Sequence, residues 1–121
     1  MDRMNEAKVT VKSLSIKNMP ATGVTVQWED GQFVFIVCKR GVVACGAIDV
    51  PLMSEHKQGI LTAAFGDAAR GIHLVWPEDL LDAPMTVLSD KAKEVGLQEG
   101  MTGKECLEIL ASLDDSIVDE A

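Results

Sequence analysis

The segment DGQFVFIVC, from Asp30 to Cys38, constrains the architecture of this chain more than any other. An Asp-Gly pair between two β-prone segments is a strong local signal for a hairpin, because both residues tolerate positive φ. The segment 33–38 that follows is apolar at every position and does not alternate. Because successive side chains of a strand point to opposite faces, this strand needs an apolar environment on both faces.

Further strands are predicted on both sides of this stretch. Residues 24–29 alternate between apolar and polar side chains, which indicates a half-buried strand leading into the hairpin. The alternation over residues 8–18 changes phase at Ser13 and predicts a bulge or a break in the first strand. Residues 19–23 contain Pro and Gly and are interpreted as the turn between these two strands.

The second half of the chain is predicted to be mainly helical. Strands are expected at 42–48 and 70–75, and residues 60–65 are interpreted as a short strand or the edge of a loop. Helices are expected to start at Asp49, Pro77, Thr86 and Thr102. The predicted fold class is therefore α+β, an N-terminal antiparallel meander of about five to six strands packed against three to four short helices. Residues 1–113 form one domain in this interpretation, and residues 114–121 form an acidic, disordered tail.

Charge and composition exclude several functional classes. The chain has 121 residues, a formal net charge of −8 and three cysteines, with no apolar run approaching the length of a membrane span. An acidic protein lacks the clustered cations that bind phosphate, so no nucleic-acid partner is expected. A cytoplasmic location with reduced thiols is expected. Residues 1–60 carry seven Lys/Arg against six Asp/Glu, so the acidity lies mainly in the second half.

The second face of the strand at residues 33–38 raises the question of what covers it. Burial of Phe33, Phe35 and Val37 against another copy of the chain would provide the missing apolar environment, as in a symmetric homo-oligomer. The alternative is a central strand whose outer face stays uneven and partly wet, which single domains tolerate.

Four polar residues are candidates for a site: Cys45, Asp49, Asp67 and Arg70. They fall near predicted strand ends, where a small enzyme or ligand-binding protein often places its pocket. Each also has a structural interpretation: tight packing beside a glycine for Cys45, helix capping for Asp49, a turn for Asp67 and an ion pair for Arg70. The Cys and His residues lack zinc-ligand spacing, so no metal and no cofactor are expected, and the ligand is unknown.

Four motifs occur in order along the chain: ACGAID at 44–49, GDAA at 66–69, EDLL at 78–81 and GLQEGMTGKE at 96–105. In this order the motifs resemble the YunC-like family of small bacterial and archaeal proteins, a domain of unknown function (DUF1805). The resemblance implies an α+β domain whose N-terminal β region takes part in assembling a tetramer. It implies no activity.

Overall fold

Six strands form one sheet, in chain order, in the computed structural model, which describes residues 7–67, 69 and 71–113. The strands are β1 (Lys8–Ile16), β2 (Met19–Trp28), β3 (Gly31–Cys38), β4 (Gly41–Cys45), β5 (Ile60–Ala64) and β6 (Val87–Leu88). The helices are α1 (Val50–Glu55), α2 (Pro77–Asp82), α3 (Asp90–Glu94) and α4 (Gly103–Ser112). The predicted α+β class is confirmed. Arg70 and the tail at 114–121 lie outside the described residues.

The hairpin predicted at Asp30 joins β2 to β3, but its geometry differs from the prediction. Trp28 pairs with Gly31, so the two turn residues are 29 and 30, and neither has positive φ. Gly31 is favoured for another reason, since a Cβ at this position would lie 2.7 Å from the indole ring of Trp28. The positive-φ turn lies instead at Lys17 and Asn18, between β1 and β2.

The first two strands are more regular than predicted, and β2 is also longer. Strand β1 pairs with β2 in an unbroken register from Lys8 opposite Gln27 to Ile16 opposite Met19, so the predicted bulge at Ser13 is wrong. The predicted turn at 19–23 is wrong as well, since these residues belong to β2. The phase change arises because the apolar residues of β1 switch from one face of the sheet to the other.

The sheet is antiparallel except between β4 and β5, which are parallel because α1 carries the chain back across the sheet. The strand predicted at 70–75 is wrong, and β6 forms the end of the sheet instead. Backbone groups of the 74–75 segment bind side chains, with Thr25 Oγ1 donating to the Val75 oxygen at 2.8 Å. The helix expected from Thr86 begins only at Asp90.

The larger core fills the face of the sheet that we call the inner face. Val34 and Ile36 of β3 are fully buried there, against Leu80 of α2 and Leu107 of α4. A second, smaller cluster lies on the opposite, outer face, where Val50 of α1 covers apolar side chains of β5. The helices therefore do not all pack on the same face of the sheet. Helix α1 covers the outer face only at the end of the sheet where β5 lies.

Candidate functional site

The outer face of β1, β2 and β3 is mainly apolar, with Ser13, Ser15 and Thr22 as its polar side chains, and it is not covered by any described helix. Register and strand alternation place eight apolar side chains together on this surface, which we call the outer apolar face. They are Val9, Val11, Val24, Val26, Trp28, Phe33, Phe35 and Val37.

Exposure differs sharply between the two faces of the sheet. Val34 and Ile36, on the inner face of β3, have 0% exposure, whereas Val37 on the outer face is 39% exposed. At the edge of the sheet, Val9 and Val11 are 60% and 64% exposed. Large apolar side chains this accessible are costly in water, at about 25 cal/mol for each Å² of apolar surface.

Aromatic side chains occupy the centre of the outer apolar face. The rings of Trp28 and Phe33 meet edge to face with centroids 6.0 Å apart, and Phe33 stacks on Phe35 at 5.9 Å. Aromatic residues with few rotatable bonds are the typical anchors of protein interfaces. The three rings therefore form one contiguous cluster and are not isolated side chains.

No charged side chain points outward from the described strands β1, β2 and β3. The lysines of β1, Lys8 and Lys12, lie at even-numbered positions and face the inner side, together with Gln27 and Gln32. Three strands of about nine residues span roughly 30 Å by 14 Å, or roughly 400 Å² of sheet. The apolar side chains occupy most of this area and carry no charge, and such a surface on a small protein is typical of an interaction site.

A separate pocket lies where the parallel strands β4 and β5 end. Its volume is about 390 Å³. Cys45 ends β4 opposite Ala64, the last residue of β5, so the loops leaving both strands open beside each other. The lining residues are Gln32, Cys45, Ala47, Gly66, Asp67, Ile72, His73, Leu74 and Val75. We call this cavity the carboxyl-end pocket, a position where α/β layers commonly bind ligands.

The structure brings together two of the four predicted site residues. Cys45 and Asp67 line the carboxyl-end pocket. Asp49 does not line it, because its Oδ1 accepts a hydrogen bond from the Leu52 amide at 3.1 Å and caps α1, which confirms its structural interpretation. Arg70 lies outside the described residues.

Two pocket residues, Gln32 and His73, were not predicted as part of a site. Gln32 follows the hairpin at the start of β3, and its amide Nε2 donates to the Leu74 oxygen at 3.1 Å. His73 follows the bridge between Asp67 and Ile72, which closes the loop after β5. The sequence held one signal for this pocket, in residues 42–65. A strand, a short helix and a second strand follow each other there, and a β-α-β order predicts two parallel strands whose carboxyl ends lie side by side.

The three cysteines are free thiols in different surroundings. The Sγ of Cys38 donates to the Gly41 oxygen at 3.4 Å, while the Sγ of Cys45 accepts the Val34 amide at 3.4 Å. Burial, followed by the charge of Glu105, raises the pKa of the Cys106 thiol from 9.0 to about 11. Cys106 is therefore a protonated core residue at neutral pH.

The raised pKa of Cys106 predicts a loss of stability at high pH. Its unfolded thiol ionises near 9.0 and its folded thiol near 11, so the unfolded state loses the proton first. The free energy of unfolding should fall as the pH rises through this interval. Urea unfolding of the wild type and Cys106→Ala at several pH values measures it. Equal pH slopes for the two proteins would contradict the assignment.

Within the part of the chain that the structure describes, no helix is long and apolar enough to cross a membrane. The His, Cys, Asp and Glu side chains of the same residues form no group of three or more that could hold a metal ion.

Residues 44–110 match a family model described as a domain of unknown function (DUF1805). The uncharacterized protein YunC of Bacillus subtilis (strain 168) is 32% identical over 101 residues, which cover 82% of this chain and 94% of that protein. A crystal structure of a protein of unknown function, TA1206 from Thermoplasma acidophilum, superposes with a TM-score of 0.74. It is 17% identical and the match covers 90% of this chain and 99% of that one, so this likeness shows the fold alone.

Proposed function

The chain belongs to the DUF1805 family. We propose that this member of the family is a self-associating α+β domain that buries its outer apolar face against a second copy. Phe33, Phe35 and Val37 form the centre of the proposed interface. The observation that carries the proposal is the aromatic cluster of Trp28, Phe33 and Phe35, over which no described helix packs, on a sheet whose inner face buries Val34 and Ile36 completely.

A second copy fits this surface better than a charged or extended partner. The outer apolar face carries no charge on β1, β2 or β3, so two copies bring no like charges together when they stack there. The net charge of −8 opposes approach through other surfaces. Two twisted sheets stack face to face about 10 Å apart, with their side chains interdigitated. In a dimer with two-fold symmetry, both partners use the same surface for the contact.

The exposed apolar area extends beyond the three strands. Leu52 on the outer helix α1 is 49% exposed, and Phe65, whose ring lies against Gly46 just after β4, is 53% exposed. A stable interface typically buries about 800 Å² on each partner, which is more than the three strands alone provide. These two side chains supply apolar surface toward the β5 end of the same face.

A tetramer, which the family resemblance implies, needs a second self-complementary surface if it is built with two-fold symmetry. The edge of β1 that pairs with no described strand is a candidate. The two-residue turn at Lys17 and Asn18 makes Ile16 and Met19 a hydrogen-bonded pair, so the backbone groups of Val9 and Val11 point away from β2. An antiparallel β1 from another copy would satisfy them.

We also place the protein in the cytoplasm. All three cysteines are free, and free thiols persist in a reducing compartment.

The mass of the wild-type protein in solution tests the proposal. Size-exclusion chromatography with light scattering at micromolar concentration should give a mass two or four times the 13.0 kDa of one chain. Dilution should shift the distribution toward smaller species, because the association is an equilibrium. A single 13.0 kDa species at every concentration would overturn self-association.

A further inference from the structure

We propose that the edge of β1 joins two copies in one register, with Val11 opposite Val11 of the partner subunit and a two-fold axis between them. We call this the edge contact. It rests on the proposed function, because it joins dimers that already share the outer apolar face. Through the edge contact, the six-stranded sheets of two copies become one continuous sheet.

The outward edge of β1 carries a row of backbone groups that no described residue pairs with. Even-numbered residues of β1 exchange both hydrogen bonds with β2, since the two-residue turn makes Ile16 and Met19 a hydrogen-bonded pair. The N–H and C=O groups of the odd-numbered residues therefore point away from β2. These residues are Val9, Val11, Ser13 and Ser15, and all four are exposed. An antiparallel strand from a second copy would satisfy the row.

Charge restricts the registers in which two β1 strands can pair. A register centred on Thr10 would put Lys8 directly opposite the partner's Lys12, and one centred on Lys12 would put two Lys12 side chains opposite each other. Like charges directly opposite each other destabilise a strand pair. The register centred on Val11 puts Lys12 opposite the partner's Thr10 and Lys8 opposite the partner's Leu14. Neither lysine then faces a cation.

The row of side chains that crosses the sheet at Val11 favours the same register. Val11 is opposite Val24 in β2, and Val24 is opposite Phe35 in β3, so the three lie in one line across the outer apolar face. A register centred on Ser13 would put a polar residue at the axis, and one centred on Val9 would pair only the start of β1. Pairing at Val11 makes the outer apolar faces of two copies continuous.

The edge contact and the face contact are compatible in one closed assembly. Antiparallel strands at a sheet edge are related by an axis perpendicular to the sheet, whereas stacked faces are related by an axis that lies between the two sheets. In a tetramer with D2 symmetry, these axes must meet. An axis along the row from Val11 to Phe35 meets the edge axis and passes the centre of the proposed interface. Two face-to-face dimers are then joined by two edge contacts at once.

A groove on the inner side of this edge is completed by the partner. Its volume is about 470 Å³, and it is lined by Thr10, Lys12, Trp76, Pro77, Glu78 and Asp79. Lys12 forms an ion pair with Glu78 in the first turn of α2. In the register centred on Val11, the partner's Lys12 lies opposite Thr10, at the mouth of the groove. The two edges therefore meet as two neutral ion pairs, although each chain carries a net charge of −8.

The mass of a proline variant tests the edge contact in the full chain. Ser13→Pro removes an N–H that points away from β2, so the chain keeps its own hydrogen bonds and loses those to the partner's Val9. At micromolar concentration, we expect a wild-type mass four times the 13.0 kDa of one chain, and half that mass for Ser13→Pro. Ser13→Ala keeps the N–H and should have the wild-type mass. Light scattering measures all three proteins.

The possible results separate the edge contact from the proposed function. A Ser13→Pro protein that still contains four copies overturns the edge contact and leaves the face contact standing. A wild type of two copies that Phe35→Glu dissociates does the same. A wild-type monomer overturns both. Phe35→Glu dissociates the tetramer as well, because one strand pair buries much less than the about 800 Å² on each partner that a stable interface needs.

Disulfide cross-linking tests the register without a proline. Thr10 and the partner's Lys12 form a non-hydrogen-bonded pair, with Cα atoms about 4.5 Å apart, a distance that a disulfide bridges. Thr10→Cys and Lys12→Cys, unfolded and refolded together, should form covalent dimers on oxidation. Neither variant alone should do so, nor should the wild type with its three buried cysteines.

Both substituted positions lie on the inner side of β1, so the face contact does not bring them together. Cross-linking of Thr10→Cys with itself would place Thr10 at the axis and overturn the register. An absence of cross-links in the mixture would overturn it as well.

Discussion

Phe35→Glu is expected to convert the proposed assembly into a 13.0 kDa monomer. Phe35 lies at the middle of the outer apolar face, stacked on Phe33 at 5.9 Å, so its substitution puts a carboxylate in the centre of the interface. Burying an unpaired carboxylate costs several kcal/mol, and each 1.4 kcal/mol weakens association about tenfold. A loss of affinity of at least about a thousandfold follows. Light scattering across a dilution series measures it.

Two matched variants separate this effect from unfolding and from added charge. Phe35→Leu keeps the position apolar and should retain the assembly, although more weakly because the aromatic contact is lost. Gln58→Glu adds the same charge at an exposed position after α1, away from β1 to β3, and should leave the mass unchanged. Circular dichroism should show a folded Phe35→Glu monomer, because the side chain is outside the main core. A folded Phe35→Glu protein of wild-type mass would contradict the proposed interface.

The apolar stretch at the centre of the sheet was the most informative part of the sequence. Its lack of alternation predicted two apolar environments, and the structure supplies one of them on the inner face, where Val34 and Ile36 are fully buried. Local capping signals were equally readable. Asp49 caps α1 and Thr102 forms a capping box with Glu105, because such bonds join residues three apart and depend on nothing distant.

Features set by distant contacts could not be read in this way. The phase change at Ser13 looks the same in sequence whether the strand is bulged or switches its apolar face, and only the pairing with β2 decides. The segment at 70–75 has strand-like composition, but its carbonyls accept from Thr25 and Gln32 of other strands. The carboxyl-end pocket joins Gln32 to His73 across the sheet order β3-β4-β5, which local patterns do not contain.

At the start of α4, the structure explains a glycine, Gly103, that the sequence alone does not. Capping accounts for Thr102 and Glu105, but not for the glycine between them. In the structure the amide of Gly103 donates to the Ala83 oxygen at 3.0 Å, and α4 begins directly against the end of α2. A Cβ on Gly103 would lie 2.0 Å from the backbone oxygen of Leu80. The glycine is therefore required for the close approach of two helices.

Gly103→Ala is expected to lower the free energy of unfolding by about 3 kcal/mol, because backbone atoms cannot yield as a flexible side chain can. The expectation runs against helix propensity, since alanine in a helix is favoured over glycine by up to about 1 kcal/mol. A loss of stability would thus report the contact with Leu80 and not the backbone preference. Urea unfolding at neutral pH, followed by circular dichroism, measures the change.

Gly66→Ala is the matched control for this substitution. It adds the same methyl group at a glycine where, among the described residues, the nearest atom to an ideal Cβ is the Ile72 oxygen at 3.5 Å, an ordinary contact. Its stability should stay within about 0.5 kcal/mol of the wild type. Gly103 belongs to α4, which packs on the inner face of the sheet. Gly103→Ala should therefore leave the mass of the folded assembly unchanged. Unfolding of Gly103→Ala at the wild-type urea midpoint would show that α4 can shift away from α2, and the close approach would then not account for the glycine.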